Sequence, residues 1–246
     1  MTVPSHTTFS TNGGAPHDVK NLSSPFGSPD SDSAVQQLSA VLSHRLGSLT
    51  SAIAGYADLL VDTPSVSEQR AIAMNVMEAS KQIDDLLADL KYFSSPLEPV
   101  LRAVDVQTVV RGAADLADPS ARARVNWAVE PNAVSEIEAD PRLLRQALLS
   151  LLHNAIEASA SSTIVRLHVV PLDDASPLTL SFDVWNDGEI ELPRPDDVFR
   201  PFFTTHAQRL GLGLPIATRI AEQHGGTVTL TANEAAEDGT CFSLRI

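Results

Sequence analysis

Residues 140–160, "DPRLLRQALLSLLHNAIEASA", decide what kind of fold this chain adopts. Asp140 is a strong N-cap, and Pro141 suits the first helical position, where a missing N–H costs nothing. Apolar residues then fall at 143, 144, 147, 148, 151, 152, 155 and 156. That stripe has the 3.6-residue period of an α-helix. The opposite face carries Gln146, Ser150, His153, Asn154 and Glu157. By itself this is either a solvated face or, at Asn154, a carbonyl ligand for a hard cation such as Mg²⁺, which takes oxygen ligands.

Working outward, strand-like alternation flanks this helix. "RVNWAVE" (124–130), "STIVRLHVVP" (162–171) and "LTLSFDVWND" (178–187) read as strands. "VDVQTVVRGAADLA" (104–117) is a short helix, and "LPIATRIAEQHGG" (214–226) is a helix closed by Gly225. "GTVTLTA" (226–232) and "GTCFSLRI" (239–246) read as a terminal hairpin. Two strands follow one another directly, so the expected fold is an α+β sandwich, one sheet with helices on one face, rather than a doubly wound sheet.

Further upstream the period is helical throughout. Val35, Leu38, Leu42, Leu46, Leu49, Ile53, Tyr56 and Leu60 step by threes and fours. "VDTPSVSEQ" (61–69) breaks the pattern at Pro64. Ile72, Val76, Ala79, Ile83, Leu86, Leu90 and Phe93 then form a second stripe. Two helices of nearly 30 residues make a hairpin about 40 Å long at 1.5 Å per residue. A lone hairpin leaves half of each stripe wet, so a second copy completing a dimeric four-helix bundle is expected. The chain thus divides into an N-terminal tail (1–32), a helical hairpin (33–94), a linker (95–104, around "SSPLEPVLRA", 94–103) and an α+β domain (105–246). The tail is rich in Ser, Thr, Pro, Gly and Asn and is expected to be disordered.

Composition narrows the function. The formal net charge is −14 over 246 residues, and Lys and Arg do not cluster, which argues against a nucleic-acid-binding surface. No apolar run reaches the roughly 20 residues of a membrane helix, and "MTVPSHTTFSTNGG" (1–14) lacks the pattern of a secretion signal. The single cysteine, Cys241, excludes an internal disulfide and suits a reducing cytoplasm. An anionic ligand would need a metal ion or oriented backbone N–H groups against this acidic field.

Several residues can carry chemistry. His44 lies roughly 200° from the apolar stripe and points to solvent, with Ser48 one turn on upon the same face. Alone it reads as an idle surface histidine or as an accessible imidazole nucleophile. "WNDGEI" (185–190) is a turn after a strand. Gly211 and Gly213, at the head of a helix, allow close approach of backbone to an anion.

Taken in order, these stretches resemble the sensor histidine kinases of two-component signalling, over roughly residues 35–246. "LSHRLGSLTSAIAGYADLL" (42–60) is similar to the phosphoacceptor box, "LLRQALLSLLHNAIEA" (143–158) to the N box, and "VWNDG" (184–188) to the first glycine box. "FRPFFTT" (199–205) is similar to the F box and "LGLGLPIA" (210–217) to the second glycine box, in the subclass with a short nucleotide lid. The resemblance implies a hairpin joined to a Bergerat-type ATP-binding domain of the histidine kinase/GHKL ATPase type. It implies that His44 accepts the γ-phosphoryl group of ATP and passes it to an aspartate of a response regulator receiver domain. Arg45 would sit beside that acceptor, and Ser48 where the family keeps a polar residue for removing the regulator's phosphate. Asn154 would hold Mg²⁺. Asn186, Asp187 and Gly188 would form the adenine contact, supported by Thr240. Thr205, His206, Arg209, Gly211, Leu212 and Gly213 would surround the phosphates.

The match departs from the family pattern at five places. Arg45 stands where an acidic residue is usual, although related subfamilies have His-Arg. Ser150 replaces the first Asn of the N box, Asn186 replaces an Asp, and Ile190 and Arg209 replace glycines. The implied protein is a cytoplasmic, homodimeric histidine kinase using ATP and Mg²⁺, with an upstream sensor protein as a further partner. Its alternative is a degenerate kinase acting as a phosphotransfer, phosphatase or regulator-binding module. A gyrase-like or chaperone ATPase would share the nucleotide fold but not the hairpin with its exposed histidine.

Overall fold

The structure is a computed structural model. It describes residues 29–63, 65–117, 119–129, 135–160, 163–172, 176, 178–188, 190, 194–204, 209–232 and 239–246. By compactness the chain forms two units, Met1–Ser39 and Ala40–Ile246. Of the first, only residues 29–39 are described, as helix. Most of the expected N-terminal tail, and the expected helix breaker Pro64, lie outside the described residues. Among the described residues no helix is long and apolar enough to cross a membrane.

The hairpin comprises α1 (Pro29–Asp62) and α2 (Val66–Ser94). Helix α1 starts four residues ahead of the expected Ser33. Helix α2 opens on Ser65, whose hydroxyl accepts the Glu68 N–H, and stops where Pro96 can no longer continue a helix. Of the two expected stripes, Leu49, Ala79 and Leu86 are buried, and Leu42, Leu46, Ile53, Tyr56, Ile72, Val76, Ile83, Leu90 and Phe93 are half-buried. Leu59, Val61, Val66, Met74, Met77 and Leu87 remain exposed.

The α+β domain runs β1 (Arg102–Asp105), α3 (Val106–Leu116), α4 (Pro119–Arg122), β2 (Val125–Val129), β3 (Glu136–Ala139), α5 (Pro141–Ala158), β4 (Val165–Pro171), β5 (Leu180–Asn186), a 3₁₀ turn (Pro195–Phe199), α6 (Gly213–Gln223), β6 (Thr227–Ala232) and β7 (Thr240–Arg245). Five strands form one sheet in the order β2-β4-β5-β7-β6, with β2 parallel to β4 and the other pairs antiparallel. Helices α5 and α6 pack together over it, as expected for an α+β sandwich.

Strand alternation explains the core. Val165, Leu167 and Val169 of β4, Leu180, Phe182 and Val184 of β5, and Phe242 and Leu244 of β7 are buried. They join Leu144, Leu148, Leu151 and Leu152 of α5 and Ile216 and Ile220 of α6 in one hydrophobic cluster. The residues between them alternate to the other face. There Arg166 stacks over Trp185 at 5.6 Å, and Ser181 donates to Asp183 at 2.6 Å. Cys241 shares that face but is buried, and burial pushes its thiol up to about 12.

Two features depart from the sequence reading. The expected linker, 95–104, ends inside strand β1, which pairs antiparallel with β3 in a separate two-stranded sheet. Strand β3 itself, "EIEA", was not expected, because four residues with two acids give too short an alternation to recognise.

Asp140 holds these parts together. Its side chain accepts from the N–H groups of Arg142 (2.9 Å) and Leu143 (3.4 Å), capping α5, and from the Val100 N–H (3.0 Å) in the connection from α2. Its own N–H donates to His224 Nε2 at 3.0 Å, just past α6. A backbone N–H can only donate, so Nε2 is the unprotonated nitrogen, and Nδ1 donates to the Ile220 carbonyl at 2.8 Å. Burial opposes the Asp140 charge, yet the N–H donors from Val100, Arg142 and Leu143, with the Arg142 guanidinium, keep its pKa below the ordinary carboxylate value.

Helix α2 also packs against the α+β domain. At that contact Asp89 is half-buried, near Arg209 and Glu157, with Asp85 one turn back on its own helix. Burial pushes its carboxyl up to about 6, against the attraction of Arg209 and with the repulsion of Asp85 and Glu157.

Two outcomes are expected. Asp140→Ala should lower the unfolding free energy by about 2–3 kcal/mol, because it strands several buried donors at once, and urea melts measure this. An unchanged midpoint would contradict the bridging role. For Asp89, a carboxyl raised in the packed state binds a proton that a freed α2, ionising near 3.8, does not. The packed arrangement is therefore favoured as pH falls through about 6 and loses that contribution above it. Limited proteolysis of the 95–101 segment should run several-fold slower at pH 5.5 than at pH 7.5, and Asp89→Asn should remove the difference.

Candidate functional site

A cavity of about 430 Å³ opens between α5, the end of β5, the start of α6 and helix α2. Its wall includes Asn154, Asn186, Gly188, Arg209, Gly211, Leu212, Gly213 and Thr240. Eight of the expected nucleotide-binding residues thus come together, from four separate stretches of sequence. Ser150 and Ile190, the N-box and glycine-box departures, line it too.

Asn186 ends β5 opposite Thr240 of β7. Its Nδ2 donates to the Gly188 carbonyl at 3.3 Å, and Thr240 Oγ1 donates to the same oxygen at 2.7 Å. Asn186 is 5% exposed, yet among the described residues its Oδ1 has no hydrogen-bond partner. A buried acceptor without a donor costs about 1–3 kcal/mol, which makes this oxygen a group in need of a donor. Close packing surrounds it. A Cβ on Gly188 would lie 2.4 Å from the Ala158 carbonyl oxygen, and one on Gly239 would lie 2.2 Å from that of Asn186.

The opposite end of the cavity is built by backbone. Gly211 adopts φ +66°, and a Cβ there would meet the Phe203 carbonyl oxygen at 2.3 Å. The Phe202 N–H donates to the Gly211 carbonyl at 3.1 Å, stitching the F-box turn to the glycine turn. Helix α6 then starts at Gly213, whose N-terminal N–H groups carry positive partial charge. Gly213 lies against Ser150, with 3.9 Å from its ideal Cβ to that of Ser150.

Charged groups line the remaining wall. Arg209 forms an ion pair with Glu157, one turn beyond Asn154 on α5. Asp85 and Asp89 of α2 face the same cavity. These two carboxylates were not foreseen as site residues. Their four-residue spacing is ordinary for an exposed helix face, and only packing of α2 on the α+β domain brings them in. The carbonyl of Asn154 and the carboxylate of Glu157 are hard oxygen donors, which suit Mg²⁺. Among the described residues no cluster of three His, Cys, Asp or Glu could hold a metal alone, so phosphate oxygens and water would complete such a shell.

Other expected residues lie elsewhere. Asp187 is exposed, and its carboxylate accepts from Thr163 Oγ1 at 2.6 Å, the main cause of its lowered pKa. Thr205 and His206 lie outside the described residues. His44 and Ser48 are exposed on α1 and do not line the cavity. Arg45 is half-buried in the adjoining groove, with Asp85, Asp89, Glu157 and Arg209. Burial and the nearby Arg209 cation lower its pKa.

Comparison with known proteins agrees with this architecture. Residues 139–246 match the family model "Histidine kinase-, DNA gyrase B-, and HSP90-like ATPase". The sensor histidine kinase ZraS of Escherichia coli (strain K12) is 29% identical over 215 residues, 86% of this chain and 45% of that protein. This chain thus spans about half the length of the curated relatives it matches. The solved structure of full-length ShkA in complex with AMPPNP is 26% identical, with a TM-score of 0.55, covering 85% of this chain and 45% of that one. The histidine kinase ThkA in complex with response regulator protein TrrA superposes with a TM-score of 0.62 over 88% of this chain and 63% of that one; at 22% identity it speaks for the fold alone. Over residues 139–246 the chain thus matches the histidine kinase-, DNA gyrase B- and HSP90-like ATPase model, and hairpin and α+β domain together are similar in make-up to the sensor histidine kinases it resembles.

Proposed function

We propose that this chain binds Mg-ATP in the cavity, phosphorylates its own His44 and passes the phosphoryl group to an aspartate of a response regulator receiver domain. The observation that carries this reading is the wall of the cavity at Asn186, a residue whose buried Oδ1 has no donor among the described residues. An adenine amino group is a donor of the right kind for it. Gly188 lines the same wall, and the glycine-led start of α6 offers N–H groups to the phosphates. Asn154 would hold Mg²⁺, whose role is to neutralise phosphate charge.

In the first step a ring nitrogen of His44 attacks the γ-phosphorus. The bond from phosphorus to the bridging oxygen breaks, and ADP leaves with that electron pair. The imidazole then releases its N–H proton. Arg45 is a permanent cation and cannot take it, so the proton goes to water. In the second step an aspartate oxygen of the regulator attacks the same phosphorus and the N–P bond breaks. His44 stands on an exposed helix face outside the cavity. That placement suits presentation to two successive partners, and it requires α1 to meet a cavity in another arrangement. The exposed apolar residues Leu59, Val66, Met74, Met77 and Leu87 support a homodimer built on the hairpin.

A second reading has its own support. Arg45 replaces an acidic neighbour of the acceptor, and Arg209 is engaged by Glu157 rather than free for a phosphate. Both fit a phosphotransfer or phosphatase module that binds nucleotide weakly, with Ser48 beside His44 serving phosphate removal.

Incubation of the pure chain with γ-labelled ATP and Mg²⁺ separates the two. The kinase reading expects acid-labile, base-stable label, absent in His44→Ala. It also expects Asn154→Ala to reduce labelling at least a hundredfold while the hairpin still dimerises by sedimentation. Label on another residue in His44→Ala would sink the acceptor assignment. No label, with phosphate removal from a phosphorylated regulator intact, would favour the module.

A further inference from the structure

Phe202, in the F-box turn, has φ 67°, and it is the one non-glycine residue with positive φ among those described. For a bulky side chain this conformation is strained and persists only where the surroundings enforce it. One enforcing contact comes from outside the α+β domain. The Phe202 ring meets the ring of Phe93, in the last turn of α2, edge to face at 5.6 Å between centroids. Such an edge-to-face pair stabilises beyond the area it buries and so opposes the strain.

The same turn of α2 is gripped from a second side. The guanidinium of Arg219, on α6, donates to the carbonyls of Tyr92 (3.0 Å), Phe93 and Ser95 (2.8 Å). These are carbonyls at a helix end, three of them satisfied by one side chain. The end of α2 therefore touches the chain on both sides of the phosphate loop: the F-box turn ahead of it, through Phe202, and α6 behind it, through Arg219. Between these anchors lie Thr204, Arg209, Gly211 and Gly213, all on the cavity wall. Neither Phe93 nor Arg219 lines the cavity.

We infer that the last turn of α2 is a clamp that sets the separation of the two ends of the phosphate-binding loop, with Phe93 and Arg219 as positioning residues for nucleotide binding. Movement of the hairpin then reaches the phosphates through Phe93–Phe202 and Arg219, a route separate from Asp85 and Asp89, which line the cavity themselves. This inference rests on the proposed nucleotide reading of the cavity.

The test is a double-mutant cycle in the full chain, with Mg-AMPPNP and adenosine as probes and calorimetric dissociation constants as readout. Phe93→Ala and Phe202→Ala should each weaken Mg-AMPPNP binding about tenfold, and the double variant no further than the weaker single one, because they break one contact. Adenosine, which lacks phosphates, should bind all variants within about twofold of the parent chain. Phe93→Tyr, which keeps the ring, should restore Mg-AMPPNP affinity. Arg219→Gln, at a half-buried position, supplies the same measurement should Phe93→Ala unfold. Losses that multiply in the double variant, or adenosine affinity falling in step with Mg-AMPPNP, would overturn the clamp, since the residues would then act separately or through general stability. Failure of the parent chain to bind either probe would instead overturn the nucleotide reading, and the clamp with it.

Discussion

The Asp140 carboxylate is the constraint on which the rest of the α+β domain depends. It is 1% exposed and must be fully hydrogen-bonded to remain charged there. Its acceptors are filled from three directions: the first turn of α5, the chain arriving from α2, and the guanidinium of Arg142. Its own N–H reaches His224 after α6. Helix α5 carries Asn154, and α6 begins at the glycine turn, so one buried charge sets the register of both sides of the cavity. The far end of α5 is held equally firmly. Arg124 donates to the Ile156, Ala160 and Thr163 carbonyls and closes the last turn without a glycine.

Between these fixed ends the cavity is shaped largely by what is missing. Glycines at 188, 211 and 239 remove side chains that would collide with backbone oxygens at 2.2–2.4 Å. The strands and loops therefore approach more closely than any other residue permits, and the polar wall of Asn186, Gly188 and Thr240 becomes one hydrogen-bonded unit. The acidic wall is different in kind. Asp85 and Asp89 come from α2, and they face an ion pair already made between Arg209 and Glu157. A polyphosphate entering there meets carboxylates before it meets a free cation. Affinity for such a ligand would then depend on how α2 lies against the α+β domain.

Much of this was legible in the sequence, for physical reasons that differ by element. The apolar stripes at 38–60 and 72–93 fixed two helices, because burial of one face imposes a 3.6-residue period. Asp140 and Pro141 marked the start of α5, because capping chemistry is local. Asn186, Gly188, Gly211 and Gly213 could be picked out because their short stretches resemble the glycine boxes, and at Gly188 and Gly211 close approach or turn conformation supplies the physical reason. What stayed hidden was non-local. Strand β3 exists through its pairing with β1, not through its own pattern. Arg209 carried no mark of its tie to Glu157, 52 residues away. The strained Phe202 is invisible in "FRPFFTT", since an aromatic residue gives no hint of left-handed backbone. Arg45, beside the expected acceptor, reads as a surface residue, but it is half-buried in a groove of charges.

The buried thiol of Cys241 has a practical consequence. With its pKa near 12, almost no thiolate exists at neutral pH, so the reactive form needed for oxidation or alkylation is scarce. It is the chain's single cysteine. The native protein is thus close to a thiol-silent background. Cysteines introduced on the exposed faces of α1 and of the outer sheet could carry spectroscopic labels selectively, with the native residue left in place, and report distances between hairpin and α+β domain.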